Sequence, residues 1–313
     1  MKHVLLIAGG GTLGTKTSDE LLRLGYRVDV LCPEDKESCH HRLTFYKGLG
    51  DEQTLKQIFA EKRYDSIVNF IHYSDIENYK PMHKLLRENT QQLIFLSSYR
   101  VYADEQHPIT ESAPQLIDVS KDKDFLKKET YAVRKSMAER FILGEGGNEN
   151  VTVIRPVISF SHRRFDLLMY SNKMIVNAVQ EGRTLLLPEK ARKLTAGLDW
   201  SGNSGKLIAN LVQKEAALGE SFTISSAQNL NWGQVADIFA EVAGLKTQWV
   251  EEQDYLDSIP AMNDDTRWRY LYDRLYDRLI DNSKVLQVTG LEKQDFLPIE
   301  EGLKIELDTY YKR

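Results

Sequence analysis

Short apolar runs alternate with amphipathic stretches along the first half of the chain. The first run, HVLLIA at residues 3–8, is apolar almost throughout, which is typical of a strand buried on both faces of a parallel sheet. Residues 15–24 carry leucines at helical spacing, and Gly25 follows as a helix terminator. The pattern therefore predicts a strand and a helix joined by a glycine-rich turn.

The same alternation continues to residue 158. Five further strands are predicted at YRVDVLC, RLTFYKG, YDSIVNFI, QLIFLSS and VTVIRPVI. Helices are predicted at DEQTLKQIFAEKR, PMHKLLREN and YAVRKSMAERFIL. Strands that alternate with helices indicate βαβ units, so we expect an α/β protein with a doubly wound, Rossmann-type parallel sheet.

After residue 158 the alternation is looser. Helices are predicted at FDLLMYSNKMIVNAVQEG and NWGQVADIFAEVAG, and the strand FTISS at residues 222–226 is expected to return to the sheet. LYDRLYDRLI repeats with a period of four, which predicts a packing helix with its leucines on one face and solvated Asp/Arg flanks. Residues 159–313 are thus predicted to form a smaller, mostly helical lobe.

The composition is that of an ordinary globular protein, with 42% hydrophobic and 28% charged residues and a net charge of -5. This acidic balance disfavours DNA and bulk RNA as partners. The two cysteines, Cys32 and Cys39, fit a reducing compartment. Cys39 and the two histidines after it lack the second cluster that a zinc site of about four ligands needs, so no metal is predicted. Apolar runs all fall short of ~18 residues, and we expect a cytoplasmic protein with no membrane span.

The glycine-rich turn has the spacing G-x-G-x-x-G. A tight turn, close approach of the backbone and the amide donors of a helix N-terminus together bind a pyrophosphate. Between a strand and a helix, this turn predicts a dinucleotide site in residues 1–158, with the substrate site in residues 159–313. The predicted cofactor contacts in the turn are Gly9, Gly11, Thr12, Leu13 and Gly14.

The end of the second strand leaves the choice between NAD and NADP open. An acidic residue at this point usually bonds the adenosine ribose, but here the strand ends at Cys32, which we expect to contact the cofactor. Glu34 or Asp35 just beyond could serve a bare ribose, which favours NAD slightly. Lys36 or Arg42 could instead meet the 2′-phosphate of NADP.

A second signal follows the fifth strand. Tyr131 and Lys135 are four residues apart on a predicted helix, so they project from one face. A tyrosine has an ordinary pKa near ~10, and a neighbouring cation favours the phenolate, which makes such a tyrosine a usable acid or base at neutral pH. A serine of SSYRVYAD, at the carboxyl edge of the sheet, could bond a substrate oxygen while hydride moves at the adjacent carbon.

With these motifs, the chain resembles the extended and atypical short-chain dehydrogenase/reductase superfamily, often labelled NAD-dependent epimerase/dehydratase. The resemblance covers nearly the whole chain through GGGTLG, FLSSYRVYAD, PITESAP, YAVRKSMAE, VIRP, FTISSAQNLNWGQVADIFAEVAG and LIDNSKVLQVTGL with PIEEGL. It implies that Ser98 is the catalytic Ser/Thr and Tyr131 the general acid/base. It also implies that Lys135 lowers the pKa of the tyrosine and holds the nicotinamide ribose. Relatives often form homodimers through the helices after strands four and five.

Four departures from the family pattern stand out. Ala8 takes the place of the first glycine, and Gly48-Leu49-Gly50 replaces the usual G-D-L. Tyr99 and Arg100 stand where sugar dehydratases carry Asp-Glu, which argues against that activity. The segment between strands four and five is short, as in a branch that contains the chloroplast stem-loop-binding proteins, some of which act on RNA.

The substrate implied by the resemblance is a nucleotide sugar, whose diphosphate needs cations from the second lobe. SHRRF supplies Arg163 and Arg164, and EKARKL supplies Arg192, although either cluster could equally be a solvated loop. His72 and Tyr73, at the end of strand four, are expected to line the pocket.

These observations predict an NAD(P)-dependent nucleotide-sugar epimerase or reductase, and the sequence does not choose between the two. One alternative is an RNA-binding protein on the same scaffold, which the acidic charge and the absence of an RNA motif disfavour. The other is a regulator that senses the dinucleotide without turnover. The intact set of Ser98, Tyr131 and Lys135 disfavours that alternative, because a sensor has no need of an acid/base pair.

Overall fold

A seven-stranded parallel sheet is the centre of the computed structural model, which describes residues 1–128 and 131–312. The strands of the structure are β1 (His3–Ile7), β2 (Arg27–Cys32), β3 (Leu43–Lys47), β4 (Tyr64–Asn69), β5 (Thr90–Leu96), β6 (Val151–Pro156), β7 (Ile158–Phe160), β8 (Thr184–Pro188), β9 (Leu198–Trp200), β10 (Ser221–Ile224) and β11 (Lys246–Val250). The helices are α1 (Thr12–Arg23), α2 (Glu52–Glu61), α3 (Ile76–Glu88), α4 (Leu116–Val119), α5 (Lys123–Lys128), α6 (Ala132–Leu143), α7 (Asn172–Glu181), α8 (Ser201–Leu211), α9 (Trp232–Ala243), α10 (Glu252–Ser258), α11 (Asp264–Arg269), α12 (Ser283–Thr289) and α13 (Ile299–Tyr311).

The order of strands across the sheet is β3-β2-β1-β4-β5-β6-β10, and all six pairings are parallel. In the register, Val4 of β1 lies opposite Val28 of β2 on one side and Ser66 of β4 on the other. The chain reverses its direction of progress between β1 and β4, which opens a crevice at the carboxyl ends of the strands. The predicted Rossmann-type α/β fold is confirmed.

The apolar run of β1 is buried on both faces of the sheet, as its composition predicts. Leu5 and Ile7 pack into a core with α2, α3 and α6. Val4 and Leu6 point to the opposite face and pack with α1, α8 and α12. Successive side chains of β1 thus point to opposite faces of the sheet, with the period of two that the pleat imposes.

The second half of the chain contributes to both lobes. The predicted strand near residues 222–226 is β10, which pairs with β6 of the central sheet. Two helices of the second half, α8 and α12, also pack on that sheet. The remaining lobe contains α7, α9, α10, α11 and α13, together with the two-stranded parallel pairs β7/β9 and β8/β11. No helix in the described ranges is long and apolar enough to cross a membrane.

Two predicted helices begin at other residues in the structure. α3 begins at Ile76, earlier than predicted, because Asp75 caps it by accepting from the Glu77 amide. α7 begins only at Asn172, since residues 161–170 form two tight bridged turns.

The repeat LYDRLYDRLI was wrongly predicted to be one helix. Helical structure continues past α11 only as a π-helical turn, Tyr270–Arg274, and Ile280 then pairs with Ile109. Asp273 and Arg274 are buried instead of forming solvated flanks. The physical reason is that these charges find partners from other segments, which a local pattern cannot show.

Candidate active site

A cavity of about 480 Å³ opens at the carboxyl ends of β1, β4, β5 and β6. Its walls come from the glycine turn, the residues that follow β5 and β6, the start of α6 and the turn after α11. The cavity therefore lies at the edge where parallel α/β sheets bind ligands.

The glycine turn combines close packing with open space. A side chain at Gly14 would place its Cβ 2.3 Å from the carbonyl oxygen of Gly9, so only glycine lets α1 approach the turn. A Cβ at Gly11 would meet no atom within 4 Å, and no side chain caps α1 there. The backbone donors of the first turn of α1, which lines the cavity, are thus available to an anion. Ala8 has a φ of 55°, a left-handed conformation that explains why glycine is usual at this position.

The end of β2 brings groups of both charges to Gly10. Lys36 Nζ and Arg163 Nη1 donate to the Gly10 carbonyl at 3.2 and 3.0 Å. The carboxylate of Glu34 borders the same residue, since a Cβ at Gly10 would lie 2.8 Å from Glu34 Oε2. Buried Cys32 lies at the end of the strand beneath them. Of the charged residues considered for the ribose end, Glu34 and Lys36 lie at this point. Arg163, which was predicted to bind the diphosphate of the substrate, lies here at the glycine turn instead and is not in the cavity lining.

The two other candidates for the ribose end lie elsewhere. Arg42 donates to the Leu22 carbonyl at 2.8 Å, and exposed Asp35 pairs with Lys47 at 3.1 Å.

Ser98 and Tyr131 line the same cavity. Ser98 is buried at the end of β5, where its Oγ accepts from the Arg100 amide at 3.2 Å. Tyr131 stands at the start of α6. The structure therefore brings together two residues that are 33 positions apart in sequence.

Lys135 lies one helical turn after Tyr131 and is buried behind the cavity wall. Its ammonium donates to the carbonyls of Leu96 and Ile71, and Leu96 itself lines the cavity. Burial lowers the pKa of Lys135 to about 7, although the carboxylate of Glu139 acts in the opposite direction. The ammonium of Lys135 thus contacts the cavity wall at Leu96, the last residue of β5.

Of the two residues expected from the end of β4, only one is near Tyr131. The ring of His72 packs 5.0 Å from that of Tyr131, at the exposed edge of the site. Burial of its inner side and the charge of Lys135 lower the pKa of His72, which favours a neutral imidazole. Tyr73 turns away, because its hydroxyl accepts from Asn69 at 3.0 Å and its ring packs on Tyr79.

Of the arginines predicted to bind the substrate, Arg164 lies at the cavity and Arg192 lies outside it. Arg164 lines the cavity and pairs with Asp166 at 2.7 Å. Arg192 lies on an exposed turn outside the cavity lining, 3.6 Å from Glu189 and over the ring of Trp249.

Sequence reasoning missed most of the charge in the cavity. We define the arginine cluster as the five guanidinium groups around the buried carboxylates of Asp166 and Asp273, namely Arg100, Arg164, Arg269, Arg274 and Arg278. Asp273 pairs with Arg274 and accepts from the Tyr99 hydroxyl. Burial would raise the pKa of Asp273, but the surrounding arginines lower it. The only signal in the sequence for this cluster was the dense repeat of Asp and Arg in LYDRLYDRLI, whose charged side chains were predicted to be exposed to solvent.

The described residues were also compared with the ligand sets that metal ions need. Over residues 1–128 and 131–312, no group of three or more His, Cys, Asp or Glu side chains could hold a metal ion.

Comparison with known proteins agrees with this geometry. The profile of the NAD dependent epimerase/dehydratase family matches residues 5–200. The UDP-glucose 4-epimerase of Neisseria meningitidis serogroup A is 29% identical over 170 residues, which are 45% of this chain and 48% of that enzyme. The chain thus spans about half the length of this curated relative.

Two solved structures share the fold over nearly the whole chain. The Bordetella bronchiseptica enzyme WbmH, in complex with NAD+, superposes with a TM-score of 0.69 at 16% identity and covers 100% of this chain and 99% of its own. The UDP-glucose 4-epimerase of Thermotoga maritima, with UDP-glucose, gives 0.69 at 17% identity, covering 99% and 98%. Because the family profile covers more than half of its residues, the chain belongs to the NAD dependent epimerase/dehydratase family.

Proposed function

We propose that the protein is an NAD-dependent epimerase that inverts a carbon of a UDP-sugar. The observation that carries this proposal is the shared cavity of Ser98, Tyr131 and the open glycine turn at Gly11. The curated relative named for UDP-glucose 4-epimerase activity supports the choice of an epimerase over a reductase. The neighbour solved with NAD+ supports the choice of cofactor.

The residues of the crevice fit a dinucleotide. The uncapped first turn of α1 offers amide donors to the pyrophosphate, and the space beside Gly11 admits it. Glu34, next to Gly10, would accept from the adenosine ribose, and Cys32 would form the floor of that subsite. When bound, the nicotinamide supplies the acceptor and donor of hydride.

Tyr131 and Ser98 would perform the proton chemistry. The Tyr131 phenolate takes the proton of the sugar hydroxyl while the carbon bearing it gives up hydride, so that the C–O bond becomes a carbonyl. The Ser98 hydroxyl donates to that oxygen as its charge develops. Return of hydride to the other face, with return of the proton from Tyr131, restores the alcohol with inverted configuration.

Charged side chains near the cavity would hold the rest of the substrate. Arg164, with Arg274 behind Asp166, presents guanidinium groups suited to a diphosphate. His72 would border the sugar from the edge of the site. The homodimer expected from the resemblance remains a prediction, which analytical ultracentrifugation tests.

The first test is a thermal-shift titration with NAD+, NADH, NADP+ and NADPH. We expect NAD+ or NADH to raise the melting temperature of the wild type and of Tyr131→Phe but not of Gly11→Asp, whose carboxylate would occupy the pyrophosphate space. In a coupled assay with UDP-glucose and UDP-galactose, Tyr131→Phe should lose ~10²-fold or more in kcat. A wild type that no dinucleotide stabilises would contradict the proposal.

A further inference from the structure

A short turn of the second lobe, which we call the 161–164 turn, lies against the glycine turn of the first lobe. Backbone hydrogen bonds of 2.9 and 2.8 Å join its two ends. The hydroxyls of Ser161 and Thr12 are 3.0 Å apart, and Arg163 Nη1 donates to the Gly10 carbonyl at 3.0 Å. The 161–164 turn therefore contacts the glycine turn and the start of α1 at two points.

The two contacts are on either side of Gly11, since Gly10 precedes it and Thr12 follows it. Gly11 itself borders open space, because a Cβ there would meet no atom within 4 Å. This space adjoins the first turn of α1, whose uncapped amides and helix dipole favour an anion. An anion bound beside Gly11 is thus within reach of two kinds of donor, the amides of α1 and the guanidinium of Arg163.

The backbone that carries Arg163 is held firmly. The His162 amide donates to buried Glu306 at 2.8 Å, and the His162 carbonyl accepts from the Asn172 side chain at 3.0 Å. The Arg163 amide donates to the Ser161 hydroxyl at 3.2 Å. Because these bonds fix the backbone before a ligand binds, less conformational entropy is lost when the guanidinium meets that ligand.

The guanidinium of Arg163 retains donors for a ligand. Over residues 1–128 and 131–312 it forms no ion pair, and its one hydrogen bond goes to the Gly10 carbonyl. A guanidinium has several N–H groups in a planar fork, and Arg163 is exposed, so the unused donors face solvent. Such a fork suits the oxygens of a phosphate group.

Two observations associate Arg163 with the cofactor and not with the substrate. It is not in the cavity lining, although Arg164, the next residue, is. It is also close to Glu34, at the expected ribose end. The pKa of Glu34 is lowered chiefly by a hydrogen bond from its own backbone amide, and the charges of Lys36 and Arg163 lower it further.

Resting on the proposed function, we propose that Arg163 of the second lobe binds the pyrophosphate of NAD. The guanidinium and the amides of α1 hold the pyrophosphate together beside Gly11. The substrate diphosphate is left to Arg164. The 161–164 turn thus contacts the cofactor through one arginine and the substrate cavity through the next.

The test measures the affinity of the dinucleotide-free protein for NAD+ and UDP by isothermal titration calorimetry, and for adenosine by its competition with NAD+. Arg163→Met should lower the affinity for NAD+ at least ~10-fold and leave the affinities for UDP and adenosine within ~3-fold, because adenosine has no phosphate and UDP binds in the cavity. Arg163→Lys keeps the charge without the fork of donors and should lose less NAD+ affinity than Arg163→Met. Arg42→Met is the matched control, since it also removes a hydrogen bond from an arginine to a backbone carbonyl, that of Leu22, and should bind NAD+ as the wild type does.

Three results overturn the inference and leave the proposed function intact. Unaltered NAD+ affinity in Arg163→Met shows that the guanidinium does not contact the cofactor. A loss of affinity for UDP but not for NAD+ shows that Arg163 binds the substrate diphosphate. An equal loss for NAD+ and adenosine shows that Arg163 only shapes the glycine turn through Gly10. If the wild type itself binds no NAD+, the proposed function fails, and the inference fails with it.

Discussion

Lys16 Nζ lies 2.7 Å from Glu306 Oε1, and this pair joins the helix behind the glycine turn to the last helix of the chain. The second carboxylate oxygen of Glu306 accepts from the His162 backbone amide at 2.8 Å. The hydroxyl of Ser161, the residue before His162, lies 3.0 Å from the hydroxyl of Thr12, which follows the glycine turn at the start of α1. Buried Glu306 thereby positions the loop that carries Arg163 and Arg164 over the crevice.

We predict that Glu306→Gln lowers the free energy of unfolding by about 2 kcal/mol, because it removes the charged acceptor of Lys16, Trp200 and His162. The variant should also weaken NAD binding, since the loop loses its anchor. Urea unfolding and calorimetry measure the two effects. Glu301→Gln, an exposed pair with Lys304, is the control and should change the stability by less than about 0.5 kcal/mol. Equal stability of both variants would refute the anchoring role.

Asp273 should be the more important aspartate of the Asp/Arg repeat. Asp273→Asn leaves Arg100, Arg274 and Arg278 without their shared carboxylate, and we expect a loss of about 3 kcal/mol or more in unfolding free energy. Asp277→Asn is the matched control at the equivalent repeat position. The Asp277→Asn substitution chiefly weakens one hydrogen bond, which the Thr195 amide donates to the Asp277 side chain. It should lower the free energy of unfolding by about 1 kcal/mol. Chemical denaturation compares the two, and a larger loss for Asp277→Asn would contradict the burial argument.

Alanine substitutions at two glycines of the turn should affect different properties, stability at Gly14 and NAD affinity at Gly11. Gly14→Ala forces its Cβ against the Gly9 backbone, so we expect a loss of about 2 kcal/mol or more in stability. Gly11→Ala meets no neighbour and has an extended conformation that alanine adopts, so its stability should change by less than about 1 kcal/mol. Its NAD affinity should nevertheless fall at least ~10-fold, because the methyl group enters the pyrophosphate space. Unaltered NAD affinity in Gly11→Ala would place the cofactor elsewhere.

Ionisation of Asp29 should make the free energy of unfolding depend on pH in the acidic range. Burial would raise its pKa, but hydrogen bonds from His3, Tyr64 and Lys62 prevail and lower the pKa to about 2. The folded pKa is below the unfolded value near ~3.9, so the stabilisation is complete above about pH 4 and is lost as the pH falls towards 2.

The measurement is the difference in unfolding free energy between the wild type and Asp29→Asn from pH 6 to pH 3. We expect a gap of about 2 kcal/mol above pH 5 that narrows below pH 4. Asp35→Asn, at an exposed pair with Lys47, is the control and should show almost no gap at any pH. A constant gap for Asp29→Asn would contradict the low pKa.

The fold and half of the site were available from the sequence because their signals are local. The apolar run of β1 requires burial on two faces, and a turn such as that from Gly9 to Gly14 is specified by neighbours in the chain. The spacing of Tyr131 and Lys135 follows from one turn of helix. The end of the fifth strand indicated a serine of SSYRVYAD, and the choice of Ser98 came from the family resemblance.

The charge of the cavity was decided only by the tertiary structure. Asp273 and Arg274 belong to a repeat that resembles a solvated helix, yet they are buried because Arg100 comes from the end of β5 and Asp166 from the loop after β7. A buried charge is stable only with partners, and these partners lie more than 100 positions away in the sequence. Local periodicity reports which face of an element is apolar, but it contains no information on which distant charges meet. The sequence by itself thus determined the sheet, the glycine turn and the helical spacing of Tyr131 and Lys135, and the folding of separate segments together decided what surrounds them.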